Sequence, residues 1–271
     1  MRDAVIVSLD ARLDEAVLLD VRWTLSGAPG DGKAAFLAGH IPGARFLDFA
    51  GVLTGPTDDP TLGRHPLPSA DQLARGLGAL GVDGSRQIVV YDEPGSFAAS
   101  RAWWVLTWAG LDVRVLDGGI TAWVASGRPI ETGEPDAATP AALALSVGHL
   151  ATISADEAAT WPGTLIDARA SERYLGQVEP IDPVAGHIPA AVNRPVSGFW
   201  TADGYLPDDA ALHARLGELR DPIAVYCGSG VSATQIVLAL AALGRPAAMY
   251  APSWSGWCAD AARPVAGGTE P

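Results

Sequence analysis

The chain states one pattern of residues twice, and that repetition limits the folds open to it more than any other feature. Leu18-Leu19-Asp20-Val21-Arg22 returns as Leu165-Ile166-Asp167-Ala168-Arg169, and Gly39-His40-Ile41-Pro42-Gly43-Ala44 returns as Gly186-His187-Ile188-Pro189-Ala190-Ala191. Ile88-Val89-Val90-Tyr91-Asp92 returns as Ile223-Ala224-Val225-Tyr226-Cys227. Leu116-Asp117-Gly118-Gly119, with Trp123 beyond it, returns as Met249-Tyr250-Ala251-Pro252-Ser253, with Trp257 beyond it. Four blocks in one order, about 135 residues apart, have a domain-sized period and not the ~20–50 residues of a solenoid, so the 271 residues read as two copies of one domain. The expected division is a first copy over 1–133, a linker over 134–149 and a second copy over 150–271. The stretch Thr132-Gly133-Glu134-Pro135-Asp136-Ala137-Ala138-Thr139-Pro140 lacks any periodic apolar pattern.

Within each copy, short β-rich runs alternate with helical patterns. Val17 to Asp20, Gln87 to Tyr91 and Val113 to Leu116 read as buried strands of a parallel sheet. Ser69 to Leu80 reads as a helix that starts on a serine cap and stops at Gly81. Ala99 to Ala109 and Ala233 to Leu243 read as apolar helices that stop at Gly110 and Gly244. The expected fold class is therefore α/β: two tandem domains, each a mainly parallel sheet flanked by helices, with sites at the carboxyl ends of strands.

Composition narrows the partners. The net charge is −13 with a single lysine, Lys33, which leaves little to neutralise phosphates and argues against nucleic acid. A small anionic substrate stays open, because a few local arginines can outweigh the global charge at a site. The apolar run near the amino terminus is too short for a signal peptide, and no stretch approaches the roughly 18 apolar residues of a membrane span. Two cysteines, Cys227 and Cys258, make no disulfide framework, so a cytoplasmic location is expected. No cofactor is expected, and the Cys and His spacing offers no zinc site.

The chemistry concentrates in Tyr226-Cys227-Gly228-Ser229-Gly230-Val231-Ser232, which follows the apolar run Ile223-Ala224-Val225 and precedes a helical run. That placement sets a thiol at the carboxyl end of a buried strand, ringed by backbone amides and facing a helix amino terminus. Each of these favours thiolate over thiol. Glycines at 228 and 230 permit a tight curl, and Ser229 and Ser232 add hydroxyl donors. Cys227 is thus the candidate nucleophile, whereas Cys258 follows Trp257 with no such loop and reads as a packing residue.

The repeated Asp-x-Arg, the Gly-His-Ile-Pro-Gly-Ala block and the Cys-Gly-Ser-Gly-Val-Ser loop resemble the tandem-domain rhodanese sulfurtransferases over essentially the whole chain. The resemblance implies that only the second domain is catalytic, and Asp92 stands where the first copy would carry a cysteine. It also implies a double displacement. An anionic donor, thiosulfate or 3-mercaptopyruvate, loads sulfur onto Cys227 as a persulfide, and a thiol, cyanide or a protein such as thioredoxin removes it. Gly228, Ser229, Gly230, Val231 and Ser232 would cradle the donor. Arg173 matches an arginine that binds the donor carboxylate, and His65 matches a histidine given a proton-relay role; Arg64 beside it carries less weight. Arg22 and Arg169 occur in both copies, as do His40 and His187, so these read as scaffold. Trp254 reads either as a wall of the pocket or as ordinary core.

Uncharged Gly228 and Ser229 favour mercaptopyruvate over thiosulfate, since thiosulfate-preferring relatives carry basic residues there. Yet a second arginine expected before the Gly-His-Ile-Pro block is missing from Val178 to Ala185, with Arg194 the nearest substitute. The second copy also has Ala190 and Pro252 in place of glycines and Gly256 in place of an acidic residue, which bears on the substrate geometry. Two rivals remain. A cysteine phosphatase needs an arginine where Ala233 stands, and a sulfur-binding module without catalysis would not require so intact a loop.

Overall fold

Each copy's β-rich runs assemble into an all-parallel sheet. The computed structural model describes residues 1–268, so the last three residues of the expected second copy lie outside the described residues. The first sheet contains β1 (Ile6–Val7), β2 (Val17–Asp20), β3 (Arg45–Phe46), β4 (Ile88–Tyr91) and β5 (Val113–Leu116), in the order β1-β5-β4-β2-β3. Its helices are α1 (Asp31–Ala38), α2 (Phe49–Val52), α3 (Ala70–Ala79), α4 (Ala98–Trp108) and α5 (Gly119–Ala125). Around the second sheet lie α6 (Ala155–Ala159), α7 (Ser171–Tyr174), α8 (Asp209–Leu216), α9 (Ala233–Ala242) and α10 (Ser253–Cys258). That sheet contains β6 (Thr164–Asp167), β7 (Val192–Asn193), β8 (Ile223–Tyr226) and β9 (Ala247–Met249), in the order β7-β6-β8-β9. No described helix is long and apolar enough to cross a membrane.

The chain forms two compact units. One comprises residues 1–55, 68–150 and 200–206; the other comprises 56–67, 151–199 and the described residues from 207 onward. Residues 134–149 form no helix or strand, and their backbone is tied to the first unit where Ala141 donates to Gly78 and both Gly148 and His149 donate to Trp108.

Local chemistry explains the elements. β4 and β8 are central strands whose residues are all buried, which is why they read as unbroken apolar runs. The Ser69 hydroxyl accepts from the Gln72 amide at 3.1 Å to cap α3, Leu73 and Leu77 turn one face inward, and Gly81 follows the helix with φ +77°. Almost all of α9 is buried, so its Ala- and Leu-rich sequence needs no polar face.

The duplicated motifs make the same contacts in both units. In the first unit Arg22 forks onto Asp20 and donates to the Gly39 carbonyl; in the second Arg169 forks onto Asp167 and donates to the Gly186 carbonyl. His40 Nδ1 pairs with the Phe36 carbonyl, and His187 Nδ1 with that of Tyr174. Left-handed backbone is conserved between the copies even where glycine is not. Gly43 (φ +76°) corresponds to Ala190 (φ +68°), and Gly119 (φ +57°) to Ser253 (φ +56°). Such a conformation costs a non-glycine residue on the order of 1–3 kcal/mol, so the surroundings of Ala190 and Ser253 must hold it in place. Pro252, which stands where a glycine was expected, has an ordinary φ of −60°.

In the first unit Asp92 follows β4 as Cys227 follows β8, and in both units a helix begins six residues later. Its carboxylate accepts from the Ala99 amide at 2.8 Å, in the first turn of α4. Burial nevertheless pushes this carboxyl up to about 6, against the opposing hydrogen bonds from Ala99 and Ser96. A raised acid binds protons in the folded state that the unfolded chain has already released. Its stabilising effect is therefore complete below the ordinary Asp range and is lost as pH rises towards 6. Asp92→Asn, which keeps an acceptor for Ala99, should match the wild type near pH 4 and exceed it by about 1–3 kcal/mol near pH 7. Urea denaturation at the two pH values checks this; a difference that does not change with pH contradicts it.

Candidate active site

Cys227 lies one residue beyond β8 and is 1% exposed. Its Sγ accepts from the Gly230 amide at 3.2 Å, so the loop does curl back onto the sulfur. Val231 and Ser232 carry the chain into α9: their carbonyls accept from the Thr234 and Gln235 amides at 3.1 and 3.2 Å, and Ser232 is the residue just before the helix. The helix axis thus brings its positive end to the loop. From the other side α10 grips the same backbone. Trp254 and Ser255 donate to the Cys227 and Gly228 carbonyls, both at 2.9 Å, and the Cys227 amide donates to Ser253 Oγ at 3.1 Å. The left-handed turn at Ser253 is what aims those groups at the cysteine.

His65 and Ser229 meet, Nδ1 to Oγ, at 2.9 Å. Both belong to the second unit, because residues 56–67 pack with it. Two glycines allow that packing. A Cβ on Gly63, which has φ +80°, would strike the Pro252 carbonyl, and one on Gly256 would lie 2.6 Å from the Thr61 carbonyl oxygen. Gly256 in place of an acidic residue is therefore a condition for this segment's position. The Arg64 amide donates to Ser255 Oγ at 3.1 Å, fixing the backbone just before His65.

Arg173 sits in α7, as its side chain grips the loop that follows. Its guanidinium donates to Glu179 at 2.7 and 3.0 Å and to Asp182 at 3.0 Å. Arg64 pairs with the other oxygen of Asp182. Both guanidiniums reach the cysteine loop: a Cβ on Gly228 would lie 3.3 Å from Arg64 Nη2 and 3.5 Å from Arg173 Nη1. The two carboxylates respond differently to this setting. Burial raises Glu179, but the Arg173 hydrogen bond and the amides of Asp182 and Ile181 more than offset it, leaving the carboxyl below its usual range. For Asp182 burial prevails over the two arginines and the carboxyl is raised.

The structure corrects some sequence expectations and decides between others. Arg194 does not replace the missing arginine; it donates to the carbonyls of Leu216 and Asn193 at 2.6 and 2.8 Å. Trp254 belongs to the core and not to a pocket wall, being fully buried, with Nε1 donating to Val184 and the Arg169 guanidinium 4.4 Å from its ring. The loop-charge argument for the donor also loses force, because cations stand beside uncharged Gly228 on side chains from outside the loop. Cys258 is half-buried against the core, and burial pushes its thiol up to about 12. Among the described residues no cluster of three His, Cys, Asp or Glu could hold a metal ion.

The sequence pattern points only weakly to Arg64 and not to Ser253, Glu179 or Asp182. The equivalence of Ser253 to Gly119 was visible as a signal, and so were the two acids in the stretch searched only for an arginine.

A sequence profile of the rhodanese-like domain matches residues 6–126 and 150–260. A Mycobacterium tuberculosis protein whose name reads "Putative thiosulfate sulfurtransferase SseB" is 43% identical over 94% of this chain and 92% of its own length. The 3-mercaptopyruvate sulfurtransferase of Escherichia coli is 34% identical over 93% of this chain and 92% of its own. Among solved structures, SseA from Escherichia coli, described as a 3-mercaptopyruvate sulfotransferase of rhodanese fold, superposes with a TM-score of 0.76 at 32% identity, over 89% of this chain and 93% of that one. With both halves matched and relatives aligned nearly end to end, the chain belongs to the rhodanese family of sulfurtransferases, with two such domains in tandem.

Proposed function

We propose that the protein transfers sulfur from a small anionic donor, 3-mercaptopyruvate or thiosulfate, to a thiol or cyanide acceptor through a persulfide on Cys227. The observation that carries this reading is the position of Sγ. It receives the Gly230 amide at the end of a buried strand, and two guanidiniums stand at the next residue. A thiolate attacks the donor's outer sulfur, and the bond from that sulfur to the rest of the donor breaks. The electron pair leaves with sulfite, or with the enolate of pyruvate, and the enzyme keeps Cys-S-S⁻. Attack by cyanide or a thiolate on the outer sulfur then returns Cys-S⁻. Backbone amides suit both anionic states, since they stabilise negative charge without giving up a proton. The relatives' names cover both donors, so they support the class of reaction more than the choice within it. Both cysteines are free thiols, which suits a reducing cytoplasm and acceptors such as thioredoxin.

The His65–Ser229 pair has work with only one donor. Release of pyruvate requires the donor's thiol proton to leave sulfur and a proton to reach carbon, whereas sulfite leaves thiosulfate without proton transfer. His65→Gln should lower kcat with 3-mercaptopyruvate on the order of 100-fold and with thiosulfate much less. Parallel steady-state kinetics read this directly, and equal losses with both donors would remove the relay role. The persulfide is tested by intact mass after incubation with each donor and removal of excess. The wild type should gain about 32 Da, one sulfur atom, and Cys227→Ser should gain nothing. No gain in the wild type with either donor would favour a protein that binds sulfur compounds without transferring sulfur.

A further inference from the structure

Beside the nucleophile, one carboxylate of the protein lies between two guanidiniums. Asp182 gives one oxygen to Arg64 and the other to Arg173, the latter at 3.0 Å, and its side chain is 3% exposed. Both arginines border Gly228, with Arg173 Nη2 3.7 Å from where a Cβ would stand and Arg64 Nη2 closer still at 3.3 Å. A carboxylate spanning two guanidiniums at the residue after the cysteine is held as a carboxylate or sulfonate group of a donor would need to be held. We propose that Arg64, arriving from outside the loop, completes the anion subsite that the family resemblance already gives to Arg173, and that Asp182 fills this subsite in the free protein, as an internal carboxylate that the donor displaces. This rests on the sulfurtransferase reading and names how its donor is bound.

Three features support it. Arg64 is delivered by a fixed backbone: Gly63 and Gly256 permit the close approach, Ser255 Oγ holds the Arg64 amide, and the next residue, His65, is bonded to Ser229. The two acids are not equivalent. Glu179 takes two hydrogen bonds from Arg173 and two from the amides of Ile181 and Asp182, and its carboxyl is lowered, so it remains as the anchor of its turn. Asp182 is raised in spite of two cationic neighbours; its desolvation is poorly compensated, and returning it to water recovers hydration. Finally, residues 178–185 form no helix or strand, so Asp182 can swing away without unravelling an element.

The test separates the subsite from the chemistry. Cys227→Ser protein, which cannot turn over, is titrated calorimetrically with pyruvate, the carboxylate product of the 3-mercaptopyruvate reaction. Adding Arg64→Ala should weaken binding on the order of 10- to 100-fold, and Arg64→Lys should recover part of the loss. Adding Asp182→Asn should tighten binding several-fold, because the internal competitor loses its charge. In turnover with 3-mercaptopyruvate, Arg64→Ala should act mainly by raising KM, and Asp182→Asn should lower KM. Pyruvate affinity and KM within twofold of the parent in Arg64→Ala would overturn the proposal. So would weaker pyruvate binding in Asp182→Asn, which would make the acid a prop for the guanidiniums and not their occupant. If the wild type moves no sulfur from any donor, the sulfurtransferase reading fails by itself, and pyruvate binding still reports on the subsite.

Discussion

The peptide that joins Cys227 to Gly228 is held from both sides, and the site depends on that grip. Its strand side is fixed by β8, whose residues are all buried. Its outer side is fixed by α10, whose first amides bond the carbonyls of Cys227 and Gly228. That contact requires Ser253 to take a conformation that glycine takes in the first unit. In exchange its hydroxyl accepts from the Cys227 amide and donates to the Tyr250 carbonyl at 3.0 Å. A buried amide left without a partner costs about 1–3 kcal/mol, comparable to the strain of the left-handed turn. Glycine would relieve the backbone but abandon the amide, so serine is the better compromise where the loop must stay rigid.

The two units show which parts of this frame serve the fold and which serve the chemistry. Both keep the buried Asp–Arg fork, the histidine bonded to a helical carbonyl, and a tyrosine at the end of the central strand whose hydroxyl accepts from the isoleucine amide of the Gly-His-Ile-Pro block. These groups are buried ionic and polar pairs, costly to break singly, which suits them to holding the fold. The divergence falls on the residue after the strand. Asp92 makes a neat helix contact with Ala99, while Cys227 accepts from Gly230 within the loop itself. A carboxylate can satisfy the helix amino terminus, but it cannot accept and release sulfur.

How legible the protein is in its sequence follows from the range of the interactions. The strands, the capped helix α3 and the apolar α9 depend on local pattern, and they are found where periodicity places them. The cysteine loop was legible for the same reason: strand, glycine curl and helix are contiguous. The anion site was not, because its parts are drawn from separate segments. Arg64 arrives from residues 56–67, Arg173 from α7 and Asp182 from the turn beyond it. Only a glycine on each side, Gly63 and Gly256, records their approach, and a missing side chain is a faint signal. Residues 178–185 hold no arginine; the second guanidinium beside Gly228 comes from Arg64, in a distant stretch, and Asp182 supplies its counter-ion.

Charge bookkeeping across this cluster explains why the loop can be neutral. Arg64, Arg169 and Arg173 face Asp167, Glu179 and Asp182, so three guanidiniums meet three carboxylates. Most of those six groups are largely buried, and a surplus of either sign there would be expensive. A basic side chain at Gly228 would add a fourth cation and would also have to start within 3.3 Å of Arg64 and 3.5 Å of Arg173. The neutral loop is thus a consequence of cations supplied from outside it, and not evidence that the donor is weakly charged. Side-chain charge offers an arriving anion no surplus; beyond the loop amides and the α9 amino terminus, it gains what it can take from an acid already bound there. The affinity of such a site is set by how poorly its own carboxylate is held, which makes the burial of Asp182 as important to donor recognition as the arginines themselves.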